Sequence, residues 1–398
     1  MDKQKYFYII LVLGSLTALG PFSIDMYLPG FSAIAKDLHT SVNNVSLTLS
    51  SYFIGISAGQ LLYGPLLDRF GRKKPLYIGL IVYIIASLCC YFVTSIDYFI
   101  ALRFVQAVGS CAASVAAMTM VRDLFPVKEI PKVFAKLMLV LGLSPMLAPT
   151  IGGYITADFG WHMVFLVLTL MGLAILLASK FFLPSNYQPD TSISLKPKPI
   201  INNFLLVLKE PQFYTYAFTG AIAFSGLFTY VASSPVIFMD IFEVNEKMYG
   251  WIFAFLSVSF IGTSQLNSFL LKKYSSEQLV LLSLKLQCVI SIIFFIGIYN
   301  DWFNLYGVIV MLFLFLGCLG LSSPNTAGLS LAPFEKNAGS ASAVMGAVQM
   351  GLGSLASVAV GLFVSNSILP ISTIFITSSF LALLMLHMGK KNIQKRTS

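Results

Sequence analysis

Apolar residues in this chain gather into runs of about 20, separated by short stretches that hold almost all the charge. Twelve such runs can be drawn. Six fall near 6–30, 43–66, 75–94, 98–121, 133–157 and 162–183, and six near 212–235, 249–271, 278–299, 303–325, 339–364 and 369–388. Each is long enough to cross the hydrocarbon layer of a bilayer as an α-helix, which satisfies its own backbone hydrogen bonds there. The pattern predicts an all-α integral membrane protein with twelve transmembrane helices arranged as two six-helix halves. The opening MDKQK precedes an apolar run that continues to Leu28 with no small-residue cleavage site, so it reads as the first span and not as a signal peptide.

The clearest break lies at about 184–211, where Pro184, Pro189, Pro197, Pro199 and Pro211 stand among Ser, Asn and Lys. With no sustained apolar periodicity, this segment reads as a linker. The expected division is an N-terminal half over 1–184, a cytoplasmic linker over 185–211 and a C-terminal half over 212–398. A weak internal repeat agrees with it. Phe53-Ile54-Gly55 recurs as Phe260-Ile261-Gly262, and Gly109 in span 4 meets Gly317 in span 10 at nearly the same offset.

Composition sharpens this picture. The chain is 57% hydrophobic and 10% charged, against about 25% charged in an ordinary soluble domain. Mean hydropathy is +0.84. The net charge of +9 would suit nucleic acid, but its distribution does not. Alternate connections carry the cations: the 69–74 cluster, Lys128, Lys132, Lys136, Lys180, Lys209, Lys272, Lys273, Lys336 and the tail from Lys390. The opposite connections keep Lys36 and Lys247 among acids such as Asp97, Asp158, Asp240, Glu243 and Asp301. The positive-inside rule then predicts cytoplasmic termini and a cytoplasmic linker. Cys89, Cys90, Cys111, Cys288 and Cys318 all lie in apolar runs without metal-ligand spacing and read as small buried hydrophobes.

Ionisable residues inside a span are costly and mark candidate sites. Asp25 in span 1 and Arg103 in span 4 are each expected roughly 8 Å from the outer ends of antiparallel helices, at similar depth. There they would share a cavity, with Asp25 exchanging a proton for a cationic or polar substrate. The alternatives are an interfacial carboxylate at the end of span 1 and an arginine that braces helix ends. Lys285 in span 9 is close enough to the cytoplasmic end for its stem to snorkel outward. Arg103, Gln106 and Ser110, followed by Ser114, share one face of span 4, a polar stripe aimed at water or a partner and not at lipid. Tyr216, Phe224, Tyr230, Asn325 and Gln349 in the second half would complete a mixed pocket, or else serve ordinary helix packing. Span 5 carries Pro145, Pro149, Gly152 and Gly153, and span 11 is rich in Gly, Ala and Ser. Kinks and small faces of this kind allow a neighbouring backbone to come close.

The charged loop GPLLDRFGRKKPL at 64–76 resembles the loop between spans 2 and 3 of the major facilitator superfamily, with the pattern G-x-x-x-D-R-x-G-R-[KR]. Its matching residues are Gly64, Asp68, Arg69, Gly71 and Arg72. IDMYLP at 24–29, ALRFVQAVG at 101–109, VRD at 121–123, SPMLAPTIGGYI at 144–155 and NAGSASAVMGAVQ at 337–349 carry the resemblance over most of the chain. They look most like the drug:proton antiporters of the bicyclomycin-resistance branch. The resemblance implies coupling and binding roles for Asp25 and Arg103. It also implies a cytoplasmic gating latch of Asp68, Arg69, Gly71 and Arg72, with Asp123 as partner of Arg72 and the start of span 11 as dipole partner of Asp68. Span 5, with Pro149, Gly152 and Gly153 in place, follows the exporter pattern. Some relatives carry a further acid about two turns before Asp25, where Thr17 stands here.

These readings give a proton-coupled exporter of small amphipathic compounds, such as bicyclomycin or chloramphenicol-like antibiotics, working by alternating access. An exporter of an amino acid, sugar or siderophore on the same scaffold is the alternative. The three histidines (His39, His162, His387) lie far apart at span ends, so no catalytic or metal-binding cluster is expected, and no cofactor. No G-x-x-x-x-G-K-[ST] phosphate loop occurs, which leaves an ion gradient as driving force. The expected partners are the substrate, protons and lipid. The expected setting is a bacterial inner membrane, with the monomer as the state the resemblance implies.

Overall fold

The computed structural model describes residues 3–126, 129–184, 197–334, 338–363 and 367–397. The first part of the expected linker, 185–196, lies outside the described residues, as do Lys128 and Lys336. The chain forms α1 (Lys3–Asp25), a short 3-10 turn at Leu28–Gly30, α2 (Phe31–Asp37), α3 (Val42–Phe70), α4 (Lys73–Tyr91), α5 (Ile96–Leu124), α6 (Ile130–Phe159) and α7 (His162–Phe182). After the linker come α8 (Pro197–Leu208), α9 (Pro211–Pro235) with a π-helical turn at Val236–Ile241, α10 (Glu246–Leu270), α11 (Ser276–Tyr299), α12 (Leu305–Leu331), α13 (Ala338–Phe363) and α14 (Leu369–Thr397). Twelve of these segments are long and apolar enough to cross a membrane, and the protein is an all-helical transmembrane bundle.

Local chemistry sets the boundaries. Ser41 caps α3 by accepting from the Asn44 amide at 3.2 Å, and Asn245 caps α10 by accepting from Met248 at 2.8 Å. Ser275 and Gln278 form a reciprocal capping box at the start of α11. α3 stops at Gly71 and α6 at Gly160, whose φ values of 81° and 86° suit a residue without Cβ.

Two stretches depart from the sequence reading. Span 1 does not end near residue 30. After the turn at Leu28–Gly30 the chain resumes as α2, with Phe31 and Ile34 fully buried, so the apolar segment runs on to Asp37. The expected linker also contains helix α8. Its Val207 is buried with Phe213 and Ala217 of α9 and with Ala341 and Val344 of α13.

α1, α3, α4, α5, α6 and α7 pack among themselves, and so do α9 to α14. Two long seams join these groups, α3 along α13 and α6 along α10. Both seams are brought close by small residues. The Ser50 and Ser357 hydroxyls meet at 2.7 Å, Ser57 donates to the Ala347 carbonyl at 3.0 Å, and Thr150 donates to the Gly250 carbonyl at 3.1 Å. A Cβ on Gly153 would collide with the Glu246 carbonyl, and one on Gly346 with the Gln60 amide. Without a water-driven hydrophobic term between helices in lipid, close contact of this kind holds the seams together.

Candidate transport site

α1 breaks at Asp25, and the break is packed tightly. A Cβ on Gly152 of α6 would run into the Met26 carbonyl, so that glycine is what lets α6 lie against the turn. Asp25 is 5% exposed and has no hydrogen-bond or ion-pair partner among the described residues. Because the apolar segment continues through the turn and α2, Asp25 lies twelve residues before its end at Asp37.

Arg103 of α5 is completely buried but is not paired with Asp25. Its guanidinium donates to the Ser23 carbonyl at 2.8 Å and to the Gln106 side-chain oxygen. It also lies 4.3 Å from the ring centres of both Tyr27 and Tyr52, a geometry that cation–π attraction favours. Gln106 passes the network on by donating to Ser87 at 2.7 Å, and Ser110 meets the Tyr52 hydroxyl at 2.7 Å. Ser23 meets Tyr83, and Tyr27 meets Thr48. The polar stripe of α5 therefore faces the interior of the first group of helices. Arg103 ties α1, α3, α4 and α5 into one body and makes no ion pair with Asp25.

Past the break, the turn at Leu28–Gly30 packs on α10 of the second group of helices, in which Tyr230 and Tyr249 are buried. Tyr249 meets the Ser234 hydroxyl at 2.7 Å, whereas the buried Tyr230 hydroxyl has no partner among the described residues. Nothing in the sequence separates these two tyrosines from packing aromatics, since their role rests on where the α9 and α10 backbones run.

Beyond the break, the end of the bundle whose connections keep Lys36 and Lys247 as their cations is sealed. Ser32 of α2 donates to Asp240 at 2.8 Å, Lys247 donates to Asp158 at 2.8 Å, and Ser46 donates to the Ala232 carbonyl at 3.4 Å. Each of these contacts crosses between the two groups of helices. Asp37 holds the Trp161 indole at 3.1 Å on the same side.

At the basic end, Arg72 donates through Nε to Asp123 at 2.6 Å and through Nη1 to Asp68. Burial opposes its charge, and the two carboxylates outweigh that effect and hold Arg72 above its ordinary value. The structure brings together Asp68, Arg72 and Asp123 and places Gly71 at the helix stop. Asp68 makes no hydrogen bond to α13 among the described residues. A Cβ on Gly64 would meet open space. Pro145 and Pro149 lie inside α6, each removing one backbone donor. In the second group a cavity of about 30 Å³ is lined by Tyr216, Gly220, Ser323, Thr326, Met345 and Gln349. Asn325 instead donates to Asn267 at 2.7 Å. Lys285 is exposed on α11.

Comparison with known proteins agrees with this architecture. The chain is 34% identical over 356 residues to a bicyclomycin resistance protein homolog of Haemophilus influenzae, covering 89% of each chain. It is 30% identical over 394 residues to the uncharacterized MFS-type transporter YdgK of Bacillus subtilis, covering 97% of this chain and 96% of that one. It is 29% identical to the multidrug resistance protein MdtL of Escherichia coli, over 84% of each. Among solved structures, a D-xylose-proton symporter superposes with a TM-score of 0.75 over 95% of this chain and 97% of its own, at 14% identity, a likeness of fold alone. A family model for the Major Facilitator Superfamily matches residues 13–361, and the chain belongs to that superfamily of transporters.

Proposed function

We propose that this protein exports small amphipathic drugs across a bacterial inner membrane in exchange for protons. The observation that carries the reading is Asp25, a buried carboxyl without a partner, at a helix break on the boundary between the two groups of helices. Such a group is costly in hydrocarbon unless it binds something, and protons and cationic or polar substrates are what a carboxyl binds. The names of the relatives, bicyclomycin resistance and multidrug resistance, support drugs as the cargo.

The two six-helix halves, 1–184 and 212–398, rock about the small-residue seams. The positive-inside rule puts the Arg72 end and both termini in the cytoplasm, so the end sealed by Ser32–Asp240 and Lys247–Asp158 faces outward. In this state drug enters from the cytoplasm and Asp25 gives up its proton on that side. Arg103 holds the first half rigid around the site. Asp68, Arg72 and Asp123 form the cytoplasmic latch, and Pro149, Gly152 and Gly153 shape the outer seal.

The test uses everted vesicles with an acidified lumen and a lumenal pH probe. Bicyclomycin, chloramphenicol and cationic dyes are added in turn, with wild type beside Asp25→Asn. Drug-triggered proton release in wild type and none in the variant is expected. An equal response in Asp25→Asn removes this residue from coupling, and silence to every compound in wild type overturns drug export.

A further inference from the structure

Helix α8, in the segment whose sequence reads as a plain linker, is twelve residues long, a length at which a helix in water holds only if its face is packed. One edge of it is packed. Val207 is buried with residues of α9 and α13 that reach no deeper than Ala217 and Val344, and Phe204 and Leu208 lie against the same cluster. Ala217 and Val344 each stand six residues into their helices, about 9 Å along the axis. α8 is therefore level with the basic ends of these spans. At 100° per residue, Val207, Phe204, Leu208, Ile201 and Leu205 form one continuous apolar arc. The protein covers only part of that arc: Ile201 is 52% exposed and Leu205 47%. The same register sets the exposed Lys209 at the open edge of the arc and Asn203 on the opposite side. Lys272, Lys273 and Lys391 are also exposed at this end of the second half. An apolar edge flanked by cations, held where the spans leave the hydrocarbon, fits a bilayer surface that carries negative charge.

We propose that α8 is an interfacial anchor. Ile201 and Leu205 enter the acyl region of the cytoplasmic leaflet, and Lys209 pairs with the phosphate of an anionic phospholipid. That leaflet is the anionic one, and the positive-inside rule places α8 against it. α8 packs on α13, which forms the seam with α3. The anchor thereby holds the second-half side of that seam at a fixed level in the leaflet.

The experiment attaches a bimane fluorophore at Ile201→Cys or Asn203→Cys in the full chain lacking its native cysteines. The protein is placed in nanodiscs of phosphatidylcholine, alone or mixed with phosphatidylglycerol, together with lipid that carries a nitroxide quencher on its acyl chain. Strong quenching at 201 and little at 203 is expected. Phosphatidylglycerol should raise the quenched fraction at 201. In that mixture Lys209→Gln should lower the ratio of inserted to detached helix about fivefold, one lysine's share of the attraction to an anionic surface, and in phosphatidylcholine alone it should not. Leu205→Asn should lose the quenching, while Leu206→Asn, which changes an exposed leucine outside the arc, should keep it. Equal quenching at 201 and 203, or none at 201, overturns the anchor. Blue-shifted but unquenched emission at 201 means that protein, from this chain or a second copy, covers the edge, and overturns it too. Quenching indifferent to both phosphatidylglycerol and Lys209→Gln overturns the anionic contact. No drug or proton gradient enters the assay, so its result is independent of the transport reading.

Discussion

Gly250→Ala tests whether the seam between α6 and α10 holds the outer end shut. A Cβ built at Gly250 would lie 2.7 Å from the Thr150 Cα and 2.9 Å from the Pro149 carbonyl oxygen, where ordinary contact begins at 3.4 Å. The shortfall against Thr150 is 3.4 − 2.7, or 0.7 Å. Both obstructing atoms are backbone, so no side-chain rotation relieves the clash and the helices themselves must part. Overpacking of this kind costs about 1–3 kcal/mol. Because Gly250 and Thr150 belong to different halves, the penalty falls on the sealed state and disappears when the outer end opens. The sealed-to-open ratio should then drop about 5- to 150-fold, since each 1.4 kcal/mol is a factor of ten. The better helix propensity of Ala over Gly acts in both states and cancels.

The readout is a single cysteine at Ser46, which is buried against Ala232 in the same outer region, in a background free of other cysteines. A membrane-impermeant maleimide applied from outside labels it only when the outer end opens. Gly250→Ala should raise the labelling rate in proportion to the open fraction. Gly64→Ala, which adds a Cβ into open space, should not. Gly152→Ala behaves differently, because its obstruction is the Met26 carbonyl within the first half, so it should lower the yield of folded protein in every state. Wild-type labelling in Gly250→Ala would mean that the start of α10 yields locally, and the seam would not be the seal.

Other substitutions separate scaffold from switch. Arg103→Ala leaves the Ser23 carbonyl and Gln106 without their donor and empties the space between two tyrosine rings, so denaturation in detergent should show a loss of about 1–3 kcal/mol for each acceptor left unpaired. Asp123→Asn weakens a pair that is partly exposed, so stability should change by no more than about 1 kcal/mol while drug efflux falls, as dye accumulation in cells would show. Gly71→Ala places a Cβ at a φ of 81° and should cost about 1–2 kcal/mol by thermal unfolding. Asn325→Leu removes the donor to Asn267 within the second half and should destabilise by about 1–3 kcal/mol in the same denaturation assay.

Apolar length made the twelve spans legible, because hydrocarbon tolerates only a helix that closes its own hydrogen bonds. Length also misled at two points. Leu28-Pro29-Gly30 carries the residues that end helices, yet Phe31 and Ile34 continue the buried face after the turn, and only tertiary packing reveals that. Ile200-Ile201-Asn202-Asn203-Phe204-Leu205-Leu206-Val207-Leu208 sits among prolines and is short, so α8 was hidden until Val207 was seen packed against α13. Asp25 and Arg103 stood out because a charge in an apolar run is rare. The rings around Arg103 did not, since Tyr27 and Tyr52 are indistinguishable in sequence from core aromatics. The meeting of Arg72 with Asp123 was expected from the family pattern alone, since nothing local links residues so far apart in the chain.

Alternating access by rocking asks for two stiff bodies and a boundary that is close-packed but free of interlocking side chains. The first half obtains its stiffness from a single charge. Arg103 bonds to α1 and stacks against α3, and through Gln106 it is joined to α4, so four helices move with it. The second half has no such buried charge among the described residues and relies on neutral contacts such as Asn325 with Asn267 and Ser291 with Ser379. Between them the seams present glycine, serine and threonine, whose bonds to backbone carbonyls can be exchanged for others as one helix slides past another. With Arg103 occupied by structural partners, Asp25 is left without a counter-ion inside the first half. That is why its charge can depend on which half-to-half arrangement the bundle adopts: a carboxylate locked to an arginine in every state would carry no information between the two sides of the membrane.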